Sequence, residues 1–183
     1  MGRIADKTAL NPDVHDSAPR TPPSVRKTCP TLVLGIGNIL LRDEGVGVRV
    51  VEALARMELP PDVEVVDGGT AGLDLLEVLA DRRKVIVIDA VEGNLEPGTV
   101  MRLGGADFVP RGGQSVSLHD IGLLETLLVA RQLGIAPQEV VVFGIKPKEA
   151  GCGLALSPEV ERVVPRVIES VLAEVAQESE GCA

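Results

Sequence analysis

The chain contains no tryptophan and no tyrosine, and its only phenylalanines are Phe108 and Phe143. With 45% hydrophobic residues among 183, it has enough apolar material for one domain core, and that core must be aliphatic. Cysteine is scarce. Cys29, Cys152 and Cys182 stand far apart without a Cys-x-x-Cys pair, which argues against a disulfide framework or a cysteine-based zinc site and leaves reduced thiols as the expectation. No run of about 18 apolar residues exists to span a membrane, and the N-terminus lacks the apolar segment of a secretory signal. A cytoplasmic protein is therefore expected, and a monomer is the separate expectation for its assembly. Basic residues are outnumbered 18 to 27, a net charge of −9. Residues 1–28 hold 5 basic and 3 acidic residues, which leaves 13 and 24 in the remainder, a net of −11. A body this acidic argues against nucleic acid or an anionic membrane as a partner.

Residues 1–28 mix Pro, Ser, Asp and Arg without periodicity and read as a disordered extension ahead of a single α/β domain at 29–183. From Thr31 onward, short apolar runs alternate with helical patterns. Strands are expected at 31–36 (TLVLGI), 63–69 (VEVVDGG), 84–91 (KVIVIDAV), 98–103 (GTVMRL) and 139–145. Helices are expected at 44–57 with Asp43 as N-cap, at 71–81, at 119–133, and from Ser157 to about Gln177 with a bend at Pro165. Residues 104–118 read as an irregular loop. Near-continuous apolar strands between helices imply a three-layer α/β sandwich. Its twisted, mostly parallel central sheet carries helices on both faces, and 98–103 is a candidate antiparallel edge.

The stretch LVLGIGNILLRDEGVG, residues 32–47, poses the functional question. Gly35-x-Gly37 after a strand suggests a dinucleotide turn, with Asp67 placed to hold a ribose. The third glycine is missing, however, because position 40 is Leu. Glu44 would also repel a pyrophosphate at a helix start that should attract it. A cation site fits better. Glu44 follows the first strand, Asp67 ends the second and Asp89 ends the third, so all three fall on the rim where open parallel sheets bind ligands. His119, the sole histidine outside 1–28, opens a helix. Two carboxylates and an imidazole with open positions suit a borderline metal such as nickel, iron or zinc. Each residue also has a plain structural role. Glu44 complements a helix dipole, Asp89 caps a turn, His119 starts a helix, and Asp67-Gly68-Gly69-Thr70 makes a tight turn. Gly35 and Gly37 are expected to be backbone requirements.

LVLGIGNILLRDEGVG, VDGGTAGLDLL, VIVIDAV and SLHDIGL, in that order, closely resemble the hydrogenase maturation endopeptidases over roughly Thr31 to Glu174. The resemblance implies a nickel-dependent endopeptidase that removes a C-terminal peptide from the precursor of the large subunit of nickel–iron hydrogenase. It also implies an α/β sandwich. It assigns metal contact to Glu44, Asp89 and His119. A functional role falls to the Asp67, Gly68, Gly69, Thr70 turn, with Asp67 as a candidate catalytic residue and the other three against substrate. In such a site the nickel arrives on the precursor's cysteines and is sensed by the protease. The peptide bond then breaks by metal polarisation, by a metal-activated water, or with an Asp acting as base. No Gly-x-Ser-x-Gly and no His-Glu-x-x-His occurs, which excludes a serine-hydrolase elbow and an ordinary zinc protease. The rival classes are a nucleotide-binding module and a non-enzymatic nickel chaperone.

Overall fold

The apolar run TLVLGI leaves every side chain from Thr31 to Ile36 buried, which requires packing on both sides of the strand it forms. A computed structural model describes residues 30–104, 117–118 and 121–179 of the chain. The expected extension at 1–28 lies outside the described residues. The strands are β1 (Thr31–Ile36), β2 (Val63–Gly69), β3 (Lys84–Glu92), β4 (Val100–Gly104), β5 (Ser117–Leu118) and β6 (Glu139–Ile145). The helices are α1 (Val46–Leu54), α2 (Leu75–Leu79), α3 (Ile121–Leu133), α4 (Pro158–Glu161) and α5 (Val164–Ser179). A 3-10 turn at Arg42–Gly45 precedes α1.

The main sheet runs β2-β1-β3-β6-β4. β1, β2, β3 and β6 are parallel, and β4 pairs antiparallel with β6, as expected of the edge strand. Alternation along each strand sorts the core into two layers. Val33, Ile86, Ile88, Val141 and Phe143 pack under α1 and α5. Leu32, Leu34, Val85, Val87 and Val142 pack under α2 and α3. This is the three-layer sandwich expected from the sequence. The chain leaves β1 toward β2 but leaves β3 toward β6 and β4, so the strand order reverses between β1 and β3. Their carboxyl ends therefore border the crevice in which open α/β sheets bind ligands.

Two local expectations need correction. The segment 157–177 does not form one bent helix but breaks at Arg162–Val163 into α4 and α5. Pro165 has no N–H to continue the ladder, whereas in the first turn of a new helix that N–H is not needed. The loop expected at 104–118 ends in a short strand, β5, whose Leu118 and Ser117 pair antiparallel with Val91 and Glu92 of β3.

Candidate functional site

Gly37 has φ +130°, a value side-chain-bearing residues rarely adopt, and a Cβ there would collide with the carbonyl of Glu44. A Cβ on Gly35 would strike the backbone of Gly47, and one on Gly47 would strike the carbonyls of Ile36 and Ile88. The Gly-x-Gly turn is thus filled by the chain's own backbone. Its glycines let the start of α1 close onto the ends of β1 and β3, so they are backbone requirements of this turn. Gly47→Ala should destabilise the protein by about 1–3 kcal/mol, the cost of forcing atoms into a packed site. Urea unfolding checks this, and an unchanged midpoint would contradict it.

That closure brings the 3-10 turn carrying Glu44 against β3. Glu44 is half-buried, and its N–H donates to the Leu41 carbonyl at 3.2 Å. Asp89 was expected at the end of the third strand. It lies within β3, which runs on to Glu92, and its register partner is Gly144 of β6. It sits one residue beyond the last β1–β3 pair, Gly35 with Ile88, and is only 3% exposed. Glu44 and Asp89 therefore occupy adjoining elements at the reversal of strand order. The last residue of β3, Glu92, forms an ion pair with Lys146, which follows β6.

Asp67 lies in β2 opposite Gly35 of β1 and is exposed. Its Oδ1 accepts the N–H of Gly69 at 2.8 Å, and the Gly69 carbonyl accepts the N–H of Gly37, also at 2.8 Å. The end of β2 is thereby tied to the loop that leads to Glu44. Gly68 is buried against Leu34 and Leu75, while Thr70 is exposed. His119 lies outside the described residues, between β5 and α3. Among the described residues no three metal-competent side chains gather into one cluster.

Asp43 was expected as the N-cap of the first helix and is not. Gly45 holds that position, without a side-chain cap. Asp43 is instead fully buried, at 0% exposure. Its Oδ1 accepts the N–H of Ser157 at 2.6 Å. Its Oδ2 accepts the N–H groups of Lys148 and Glu149, each at 2.9 Å, and the Ser157 hydroxyl at 2.8 Å. Burial pushes this carboxyl up, but the hydrogen bonds from Ser157, Glu149 and Lys148 outweigh it and hold the group below the usual carboxylate range. A sequence signal for this role is hard to find, because the partners, three backbone N–H groups and one hydroxyl, lie more than 100 positions away.

The loops after β1, β2, β3 and β6 also expose large apolar side chains: Leu40, Leu73, Leu95 and Leu154. The segments that carry Leu40 and Leu154 adjoin, since the N–H of Gly153 donates to the Leu40 carbonyl at 2.9 Å. Among the described residues no helix is long and apolar enough to cross a membrane.

Residues 48–174 match the hydrogenase maturation protease family. The hydrogenase 2 maturation protease of Escherichia coli K12 is 40% identical over 144 residues, which is 78% of this chain and 88% of that protein. The solved structure of the hydrogenase maturating endopeptidase HybD from E. coli superposes with a TM-score of 0.73 at 40% identity. It covers 81% of this chain and 93% of the other. A hydrogenase 2 maturation peptidase from a Thaumarchaeota archaeon superposes with a TM-score of 0.63 at 34% identity, covering 80% and 97%.

Proposed function

Because this chain belongs to the hydrogenase maturation protease family, we propose that it is an endopeptidase that trims the C-terminal propeptide from the precursor of the nickel–iron hydrogenase large subunit, and that it acts by sensing nickel already bound to that precursor. The observation that carries this reading is that the turn bearing Glu44 packs against β3, the strand bearing Asp89, at the reversal of strand order. In the proposed site His119 completes the set.

The donor chemistry fits the metal. Two carboxylates and an imidazole suit a borderline divalent ion, and the absence of thiolates leaves those positions to the precursor's cysteines. Asp89, buried in a central strand, provides a fixed donor, and Glu44 on the turn provides one closer to solvent. The exposed leucines around the same rim are suited to a protein substrate rather than a small solute. When bound, nickel supplies Lewis acidity toward the scissile carbonyl or a water.

Asp67 is the proposed catalytic carboxylate of the chain itself, with Gly68, Gly69 and Thr70 alongside the substrate. The bond from Gly69 fixes the orientation of the Asp67 carboxylate and so aims it as a general base. Asp67→Asn keeps that bond but removes the basicity, so kcat should fall by about 100-fold or more with precursor binding retained. Near-parental turnover in steady-state kinetics would reduce Asp67 to a turn residue. The overall reading is tested by mass spectrometry of nickel-loaded precursor incubated with the protein. Loss of a single C-terminal peptide is expected. An unchanged mass, together with tight binding of free nickel, would instead indicate a nickel chaperone.

A further inference from the structure

Next to Glu44, the chain makes a set of contacts that no local requirement explains. Arg42 has φ +49°, a left-handed conformation unfavourable for a residue with a side chain. Such a conformation persists only where the surroundings over-determine it. Here they do. The Arg42 N–H donates to the Gly153 carbonyl at 2.9 Å, its guanidinium pairs with Glu149 at 2.7 Å, and the Asp43 N–H donates to the Glu149 carbonyl at 3.2 Å. Arg49 on α1 adds a bond to the Leu154 carbonyl at 3.2 Å. At the centre stands the buried Asp43 carboxylate with its four donors from Lys148, Glu149 and Ser157. Asp43 turns inward while Glu44, the next residue, stays half-buried at the rim.

We propose that Asp43 is a positioning residue for the cleavage reaction. It locks the segment 148–157 onto the 3-10 turn so that Glu44 is held rigidly in its working geometry. This rests on the reading of Glu44 as a metal contact. A helix cap would need only one acceptor at a helix end. Four converging donors on a buried carboxylate fix both the depth and the rotation of the turn, and a misplacement of a donor by about 1 Å is enough to cost about 100-fold in turnover.

Asp43→Asn is the sharpest probe. An amide has one acceptor oxygen, so in either orientation its NH2 faces at least one backbone N–H, and the clamp cannot be restored by flipping. Steady-state cleavage of nickel-loaded precursor is measured per folded molecule, with folding followed by far-UV circular dichroism. The expected result is a fall in kcat of about 100-fold with KM within about twofold of the parent. A purely structural Asp43 would lower the melting temperature but leave kcat per folded molecule intact, and that result overturns the proposal. Should Asp43→Asn fail to fold, Ser157→Ala decides. It removes one of the four donors without adding a clash and should lower kcat by about three- to tenfold. Parental kcat in that variant likewise overturns the proposal. Glu44→Gln in the same assay separates the two levels. If it cleaves normally, the site reading fails and Asp43 with it. If it is inactive while Asp43→Asn retains parental kcat, only the role of Asp43 fails.

Discussion

Glu44→Gln, Asp89→Asn and His119→Ala should each slow processing of the nickel-loaded precursor by at least about 1,000-fold, the scale of losing a group that acts on the reacting bond. The amide substitutions preserve shape and remove the charged donor oxygen, and amides are poor ligands for this metal. Glu44 is half-buried on a turn, so its substitution leaves the core untouched. Asp89 is buried, but Asn is nearly isosteric there. Far-UV circular dichroism should therefore match the parent for both. The losses should also be strongly non-additive. Glu44→Gln combined with Asp89→Asn should be no slower than the worse single variant, because groups acting through one metal fail together. Independent, multiplying losses would mean that the carboxylates serve separate functions.

The second large effect concerns stability and lies at the opposite end of the sheet. Lys84 opens β3 and is buried, and its Nζ meets Glu174 Oε1 at 2.8 Å and Glu139 at 3.3 Å. Arg102 of β4 donates to the same Glu174 from Nε and Nη2, at 2.8 and 2.9 Å. The Arg102 hydrogen bonds lead in holding Glu174 down to about 2, against burial, with the Lys84 ammonium assisting. For Lys84 the balance runs the other way. Burial would lower it, and the hydrogen bond and charge of Glu174 raise it above its ordinary value.

The carboxyl is depressed in the fold from an ordinary 4.5, so its stabilisation is fully present above pH 4.5 and is lost as pH falls toward 2. The shift is worth on the order of 3 kcal/mol. The raised ammonium of Lys84 stabilises below about pH 10.5 and loses that contribution as pH climbs through its folded value. Glu174→Gln strands a buried ammonium with only the half-exposed Glu139, and should cost about 3–5 kcal/mol at neutral pH. Urea unfolding at pH 7 and at pH 3 checks both points. The parent should weaken on acidification and the variant much less. Equal acid sensitivity would mean that Glu174 is not the group being titrated. Cleavage per folded molecule should be unaffected, since Glu174 lies far from the rim loops.

Much of this architecture is legible in the sequence because it is periodic. Continuous apolar runs such as VIVI and VVVF belong to strands covered on both faces, and strand β6 spans 139–145 as expected. The placement of Glu44 and Asp89 on adjoining elements follows from the same logic. In a parallel sheet the loops after successive strands share an edge, and Asp89 lies close to that edge, within β3 and in register with Gly144 of β6.

What was not legible depends on long-range partners. Asp43 resembled a helix cap because an acid before a helix usually is one. Its true donors are three backbone N–H groups and the Ser157 hydroxyl in the segment 148–157, which no local pattern identifies. The Lys84–Glu174 pair did leave a trace. A lysine opens an otherwise apolar buried strand, and Glu174 stands at helical spacing from Val167 and Val171 on the stripe that α5 buries. A charge on each of two buried faces implies a mutual partner.

In the proposed mechanism the rim carboxylates read the metal on the substrate. The most direct test incubates the protein with the same large-subunit precursor in nickel-loaded and nickel-free form and follows the intact masses over time. Trimming of the loaded precursor alone is the predicted result, with Glu44→Gln trimming neither. Equal trimming of both forms by the parent protein would contradict the claim and leave a protease that does not consult the metal.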